Sequence, residues 1–156
     1  GNLGDRLRNL NEAADALQKL GKIVSVSSYY ETAAWGKIDQ PSFINQALVL
    51  ETRLAPEQLL LRLLEIEQRI GRIRKEKYGP RLIDIDILLY EQLVLNSAAL
   101  QLQHPQLPNR RFALTPLAEI APELQHPVLH KSIAALLDIC PDTLEVKKLL
   151  TDDRSL

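Results

Sequence analysis

A single cysteine, Cys140, is the whole thiol inventory of these 156 residues. No intramolecular disulfide can form, so the chain suits a reducing compartment. Cys140 has no activating partner nearby in sequence and reads as inert. No apolar run in these residues approaches the ~20 of a membrane span, and no secretory leader is expected. The formal net charge is −1, so no global field recruits nucleic acid or a membrane surface. Aromatic residues make up 4% of the chain. With neither aromatic interleaving nor a generally basic surface, nucleic acid is the weaker partner for its local basic segment. There is no Walker A glycine pattern, which excludes a P-loop phosphate cradle.

What is present is enough apolar material, 46% of residues, for one core. The expectation is a single domain over residues 1–150, a polar tail at 151–156, and a cytoplasmic monomer. Residues 5–20 carry Leu7, Leu10, Ala13, Ala14, Leu17 and Leu20 at helical spacing, with Gly21 as a stop signal. Residues 22–30 and 43–52 read as strands, with a loop at 31–42 between them. Pro56 opens a second helix that Gly71 closes. Residues 82–90 are the third clear strand, and 92–95 a short edge strand. Helices are expected at 111–121, with Pro116 near its start, and at 132–140 with Ser132 as N-cap. A last strand falls at 146–150. This order of elements predicts an α+β sandwich, with helices packed on a mostly antiparallel sheet.

The chemistry concentrates in residues 69–90, RIGRIRKEKYGPRLIDIDILLY. Arg69, Arg72, Arg74, Lys75, Lys77 and Arg81 oppose only Glu76 over the first thirteen of these positions. Two aspartates follow on an apolar strand, where alternation puts Asp84 and Asp86 on one face and Ile83, Ile85 and Ile87 on the other. A pair of carboxylates on a buried strand repel each other and resist desolvation, and a divalent cation bridging them relieves both costs. Mg²⁺ commonly takes one or two carboxylates and completes its shell with phosphate oxygens and water. The guanidinium forks are then partners for the anion such a cation carries. The alternative for so short a motif is one strand-end cap and one solvated carboxylate.

Other residues are more equivocal. Glu67 lies on the apolar stripe of the second helix and needs a partner, for which the following arginines are candidates. Asn45 shares a face with Phe43, Ala47 and Val49; an amide there can read the edge of a flat heterocycle while Phe43 stacks on its face. A backbone-satisfied asparagine fits equally well. His104 can donate to a phosphate or simply sit at the surface. Trp35 suits a lid or ordinary packing. His126 and His130 have helical metal spacing, but Pro127 between them argues against a helix.

The ordered set GNLGD, DQPSFINQALVLET, EIEQRIGRIR, KYGPRLIDIDILLY, HPQLPNRRFAL and PLAEIAPEL resembles the 6-hydroxymethyl-7,8-dihydropterin pyrophosphokinase family. The resemblance implies a ferredoxin-like α+β fold and transfer of pyrophosphate from ATP to the pterin hydroxymethyl group, releasing AMP. It implies two Mg²⁺ ions on Asp84 and Asp86. Arg72 and Arg81 would neutralise developing charge. Glu67, Arg74, Lys75, Ile87, His104 and Arg110 would line the ATP site, and Thr32, Trp35, Phe43, Asn45 and Phe112 the pterin site.

The chain departs from the family pattern in three places. An opening strand and a turn serine are absent before Asn2. The basic loop is one residue short, with Lys77 and Tyr78 where arginine and tryptophan are common. Ala33 and Ala34 replace prolines. Two rival functions remain, a binding module without turnover and a small nucleotidyltransferase that releases pyrophosphate.

Overall fold

The computed structural model describes residues 5–33, 42–71 and 83–149. Helix α1 spans Arg6–Leu17, and the Asp5 carboxylate caps it by accepting from the Arg8 N–H at 3.1 Å. Strands β1 (Gly21–Val26), β2 (Tyr30–Thr32), β3 (Phe43–Asn45) and β4 (Leu48–Thr52) follow. Helix α2 covers Pro56–Gly71. A short hairpin pairs β5 (Leu95–Asn96) with β6 (Gln101–Leu102). Helix α3 (Arg111–Ile120), helix α4 (Ile133–Asp138) and strand β7 (Val146–Lys148) complete the order. The architecture is α+β with antiparallel pairing throughout the described strands.

Each of the two long strands expected near the start is broken in two. The first becomes β1 and β2, the second β3 and β4. At the break the Ala47 N–H donates to Ser27 Oγ at 2.9 Å, and the Ser27 N–H donates to the Ala47 carbonyl at 2.8 Å. The Gln46 amide donates to the Ser27 carbonyl at 3.0 Å. Side chains here satisfy backbone groups that a regular ladder would pair. The ribbon therefore divides into a β1–β4 sheet and a separate β3–β2–β7 sheet. Gly21 does not end a helix as expected. It opens β1, where a Cβ would lie 2.0 Å from the Glu51 carbonyl oxygen across the ladder.

Residues 83–90 also differ from expectation, forming no ladder among the described residues. Their backbone is held by other means: the Ile85 N–H donates to the Glu67 carboxylate, and the Leu88 carbonyl accepts from the His104 N–H at 2.9 Å. The two-residue alternation still holds. Ile83 is buried in a core with Ala13, Leu17, Leu59, Leu63 and Ile66, and Ile85 and Ile87 pack on it.

A second core joins α3 and α4 through Leu107, Leu114, Leu117, Ile133 and Leu136. Pro116 lies inside α3 rather than near its start, so the Phe112 carbonyl loses its i+4 backbone donor. The three-stranded sheet is covered on both faces. Ile44 meets Leu7 of α1 on one, while Tyr30 reaches Glu119 of α3 from the other. Among the described residues no helix is long and apolar enough to cross a membrane.

Candidate active site

Asp84 and Asp86 are exposed, on the side of residues 83–90 opposite the isoleucines that enter the core. The desolvation argument drawn from sequence is therefore corrected: both residues are exposed rather than buried. Glu67, half-buried on α2, accepts from the Ile85 N–H at 2.5 Å. Its bond grips the peptide between the two aspartates, a partner that sequence did not suggest.

His104 approaches the same segment through its bond to the Leu88 carbonyl. Its Nδ1 accepts from the Gln106 N–H at 3.2 Å, which leaves the proton of a neutral imidazole on Nε2. Burial pushes the His104 pKa below its ordinary value; Asp86 opposes this and Arg110 reinforces it. Asp86, His104 and Arg110 thus share one electrostatic neighbourhood. The Arg110 guanidinium also lies 5.7 Å from the centroid of the Phe112 ring.

A second group of side chains is set by register. Thr32 pairs with Phe43 and Tyr30 with Asn45, so all four project from one face of the β2–β3 ribbon. That is the α3 face, because the Tyr30 hydroxyl donates to Glu119 at 2.5 Å. Burial, with the bond and charge of Glu119, raises the Tyr30 pKa to about 12, so the phenol remains a donor. Burial pushes the Glu119 carboxyl up, but donors from Tyr30 and Ser28 outweigh it and hold the pKa below its usual value. Thr32 is 4% exposed, and its hydroxyl has no hydrogen-bond partner among the described residues. Such a group costs free energy unless something fills the place opposite it.

The structure therefore assembles Asp86 with His104 and Arg110, and Thr32 with Phe43 and Asn45, while Phe112 sits on the helix packed over that sheet. Ile87 is half-buried against the first core, so its side chain serves packing. Trp35, Arg72, Arg74, Lys75 and Arg81 lie outside the described residues. Glu119 was missed as a structural acid, although the PLAEIAPEL stretch contains it. Clefts of about 350 and 480 Å³ along α1 and α2 share none of these residues.

Solvent-facing acids with an imidazole and a guanidinium near one of them are donor types suited to a phosphorylated ligand. Comparison with known proteins narrows the class. The family model described as 7,8-dihydro-6-hydroxymethylpterin-pyrophosphokinase matches residues 1–122. The 2-amino-4-hydroxy-6-hydroxymethyldihydropteridine pyrophosphokinase of Aquifex aeolicus (strain VF5) is 40% identical over 132 residues, covering 85% of this chain and 82% of that protein. The protein of the same name from Synechocystis sp. is 42% identical over 140 residues, 88% of this chain and 71% of its own length. The folic acid synthesis protein fol1 of Schizosaccharomyces pombe is 40% identical over 142 residues, 90% of this chain but 19% of that longer protein. This chain belongs to the 7,8-dihydro-6-hydroxymethylpterin-pyrophosphokinase family. It is an ATP-dependent pyrophosphokinase of folate biosynthesis.

Proposed function

We propose that this chain moves the terminal pyrophosphate of ATP onto the hydroxymethyl oxygen of 6-hydroxymethyl-7,8-dihydropterin, with its residues divided between a nucleotide side and a pterin side. The hydroxymethyl oxygen bonds to the β-phosphorus as the bridge to the α-phosphate breaks. AMP leaves with the bridging oxygen, and the hydroxyl proton passes to solvent. Such a reaction asks for alignment and charge stabilisation more than for a covalent nucleophile.

The donor set suits Mg²⁺. Asp84 and Asp86 are hard oxygen ligands, both exposed, and the described residues hold no cluster of three or more His, Cys, Asp or Glu that would close a site without the nucleotide. When bound by these two side chains, Mg²⁺ screens the triphosphate and eases loss of the hydroxyl proton. Asp84 and Asp86 would hold two such ions.

His104 presents Nε2–H, and Arg110 a charged fork, to phosphate oxygens near Asp86. Glu67 holds the aspartate segment to α2. Arg72, Arg74, Lys75 and Arg81 supply further positive charge, Arg72 and Arg81 at the transferring group. Ile87 offers its backbone to the nucleotide. On the pterin side Phe43 and Phe112 stack on the ring, Thr32 and Asn45 bond its edge, and Trp35 covers it. The frame is proposed as ferredoxin-like, one domain over residues 1–150, acting as a cytoplasmic monomer.

The observation that carries this reading is the pair of solvent-facing aspartates with His104 and Arg110 gathered around one of them. The test is AMP release. It should require ATP, the pterin and Mg²⁺ together, and the pterin should leave as its diphosphate. Inorganic pyrophosphate as the leaving group would select a nucleotidyltransferase instead, and binding without AMP would select a module that does not turn over.

A further inference from the structure

Thr32 and Phe43 form the last pair of the β2–β3 ladder, at the end where the chain leaves β2 and returns into β3. Only three residue pairs hold that ladder together, too few to fix its end unaided. The other face of the ribbon carries a closed polar ring. Arg6, the first residue of α1, donates from Nη1 to Glu31 Oε2 at 2.9 Å. The same nitrogen donates to the Ser42 carbonyl at 3.0 Å and to Ser42 Oγ at 2.7 Å, sharing its two protons over three acceptors. Ser42 Oγ in turn donates to Glu31 Oε2 at 2.6 Å and closes the ring. The Arg6 and Glu31 side chains are 30% and 31% exposed, so water screens the pair only partly. Bonding from Ser42 holds the Glu31 carboxyl below its ordinary pKa against its burial, helped by Arg6 and by Lys147 on β7.

Glu31 precedes Thr32, and Ser42 precedes Phe43. A ring that ties 31 to 42 therefore sets both neighbours at once, although their side chains project from the opposite face. We propose that Arg6 is a positioning residue for pterin recognition: through Glu31 and Ser42 it fixes the spacing of Thr32 and Phe43. The proposal rests on the assignment of that pair to the pterin. It predicts a selective effect, because the ring's hydrogen bonds join Arg6, Glu31 and Ser42, away from the nucleotide side.

The experiment measures binding of 6-hydroxymethylpterin and of a non-hydrolysable ATP analogue separately, by titration calorimetry, with thermal unfolding alongside. Arg6→Ala should weaken pterin binding ~tenfold, the scale of one charge-assisted hydrogen bond, and change nucleotide binding less than about twofold. Steady-state kinetics should then show a raised KM for pterin with kcat nearly kept. Glu31→Gln keeps one acceptor oxygen and removes the charge; it should give a smaller loss of the same selectivity, and it answers the question if Arg6→Ala does not fold. Arg6→Lys should restore part of the affinity. Pterin affinity unchanged in both Arg6→Ala and Glu31→Gln would overturn the proposal. So would equal weakening of both ligands in step with a lower Tm, the mark of a merely structural ring. Wild-type protein that ignores pterin would instead remove the substrate assignment beneath it.

Discussion

Thr32 places a hydroxyl where no described group meets it, and that has opposite consequences for the empty and the loaded protein. An unsatisfied buried polar atom costs about 1–3 kcal/mol. Thr32→Val has nearly the same shape and no such atom. The variant should be more stable by about 1 kcal/mol in urea unfolding, yet bind pterin ~tenfold more weakly if the hydroxyl is a ligand donor. Loss of stability together with unchanged affinity would show that the hydroxyl already has a partner. Asp84 and Asp86 give the complementary case. Both are exposed, so Asp84→Ala or Asp86→Ala should leave unfolding within about 0.5 kcal/mol of wild type. AMP release should fall at least ~10²–10³-fold, the range seen when one preorganised charge-stabilising group is lost. Near-normal turnover by either variant would remove the metal assignment. At this scale the sequence was informative because the residues are chemically odd for their places: acids on an isoleucine strand, an asparagine beside a phenylalanine. Whether those acids are dry or wet was not legible, since burial depends on what packs against the segment.

Glu67 shows what an element-level reading can and cannot supply. Helix α2 was legible from end to end, because Pro56, the leucine stripe and Gly71 are local signals. The odd carboxylate on that stripe was also visible. Its acceptance of the Ile85 N–H, 18 residues on, was not, because that bond exists only once the segment lies across the helix. The same reason explains the strand at 82–90. Period two correctly sorted Ile83, Ile85 and Ile87 from Asp84 and Asp86, but a ladder requires a partner that periodicity does not name. The broken strands at Ser27 and Ala47 likewise follow from side-chain bonds across the ribbon. Removing Glu67 should then loosen the aspartates. Glu67→Leu keeps the apolar stripe but strands a peptide N–H, which should cost about 1–3 kcal/mol of stability. Glu67→Gln retains an acceptor and should recover most of it. Amide hydrogen exchange at Ile85 separates the two, with fast exchange expected in the leucine variant and near-native protection in the glutamine variant. Equal protection in both would mean that the bond does not hold the segment.

At the scale of the whole molecule, the buried titratable groups set the pH range over which the fold holds. His126 is 2% exposed, and its Nδ1 accepts from the N–H groups of Val128 and Leu129 at 3.2 and 3.0 Å. It closes a turn, a role that the i, i+4 spacing with His130 could not reveal. Burial, with some help from His130, pushes its pKa below 6.5, and burial does the same to His104. The sign follows from which state takes the proton first. As pH falls through 6.5 the unfolded histidines protonate while the folded ones do not, so the unfolded state gains. Stability is therefore complete above 6.5 and declines below it until the folded imidazoles protonate as well. Glu31 and Glu119, both held below 4.5, add a separate loss at lower pH. Tyr30 acts at the other end, where stability falls as pH rises from 10.0 towards about 12. Urea midpoints should be flat near neutrality and descend as pH drops below about 6.5. His126→Gln keeps a polar acceptor without an ionisable ring, so it should flatten the descent just below pH 6.5 and leave the steeper loss below 4.5 intact. His104 should contribute less, because Asp86 offsets part of its shift. A slope unchanged in His126→Gln would place the acid sensitivity elsewhere, and His104 would be the next group to neutralise.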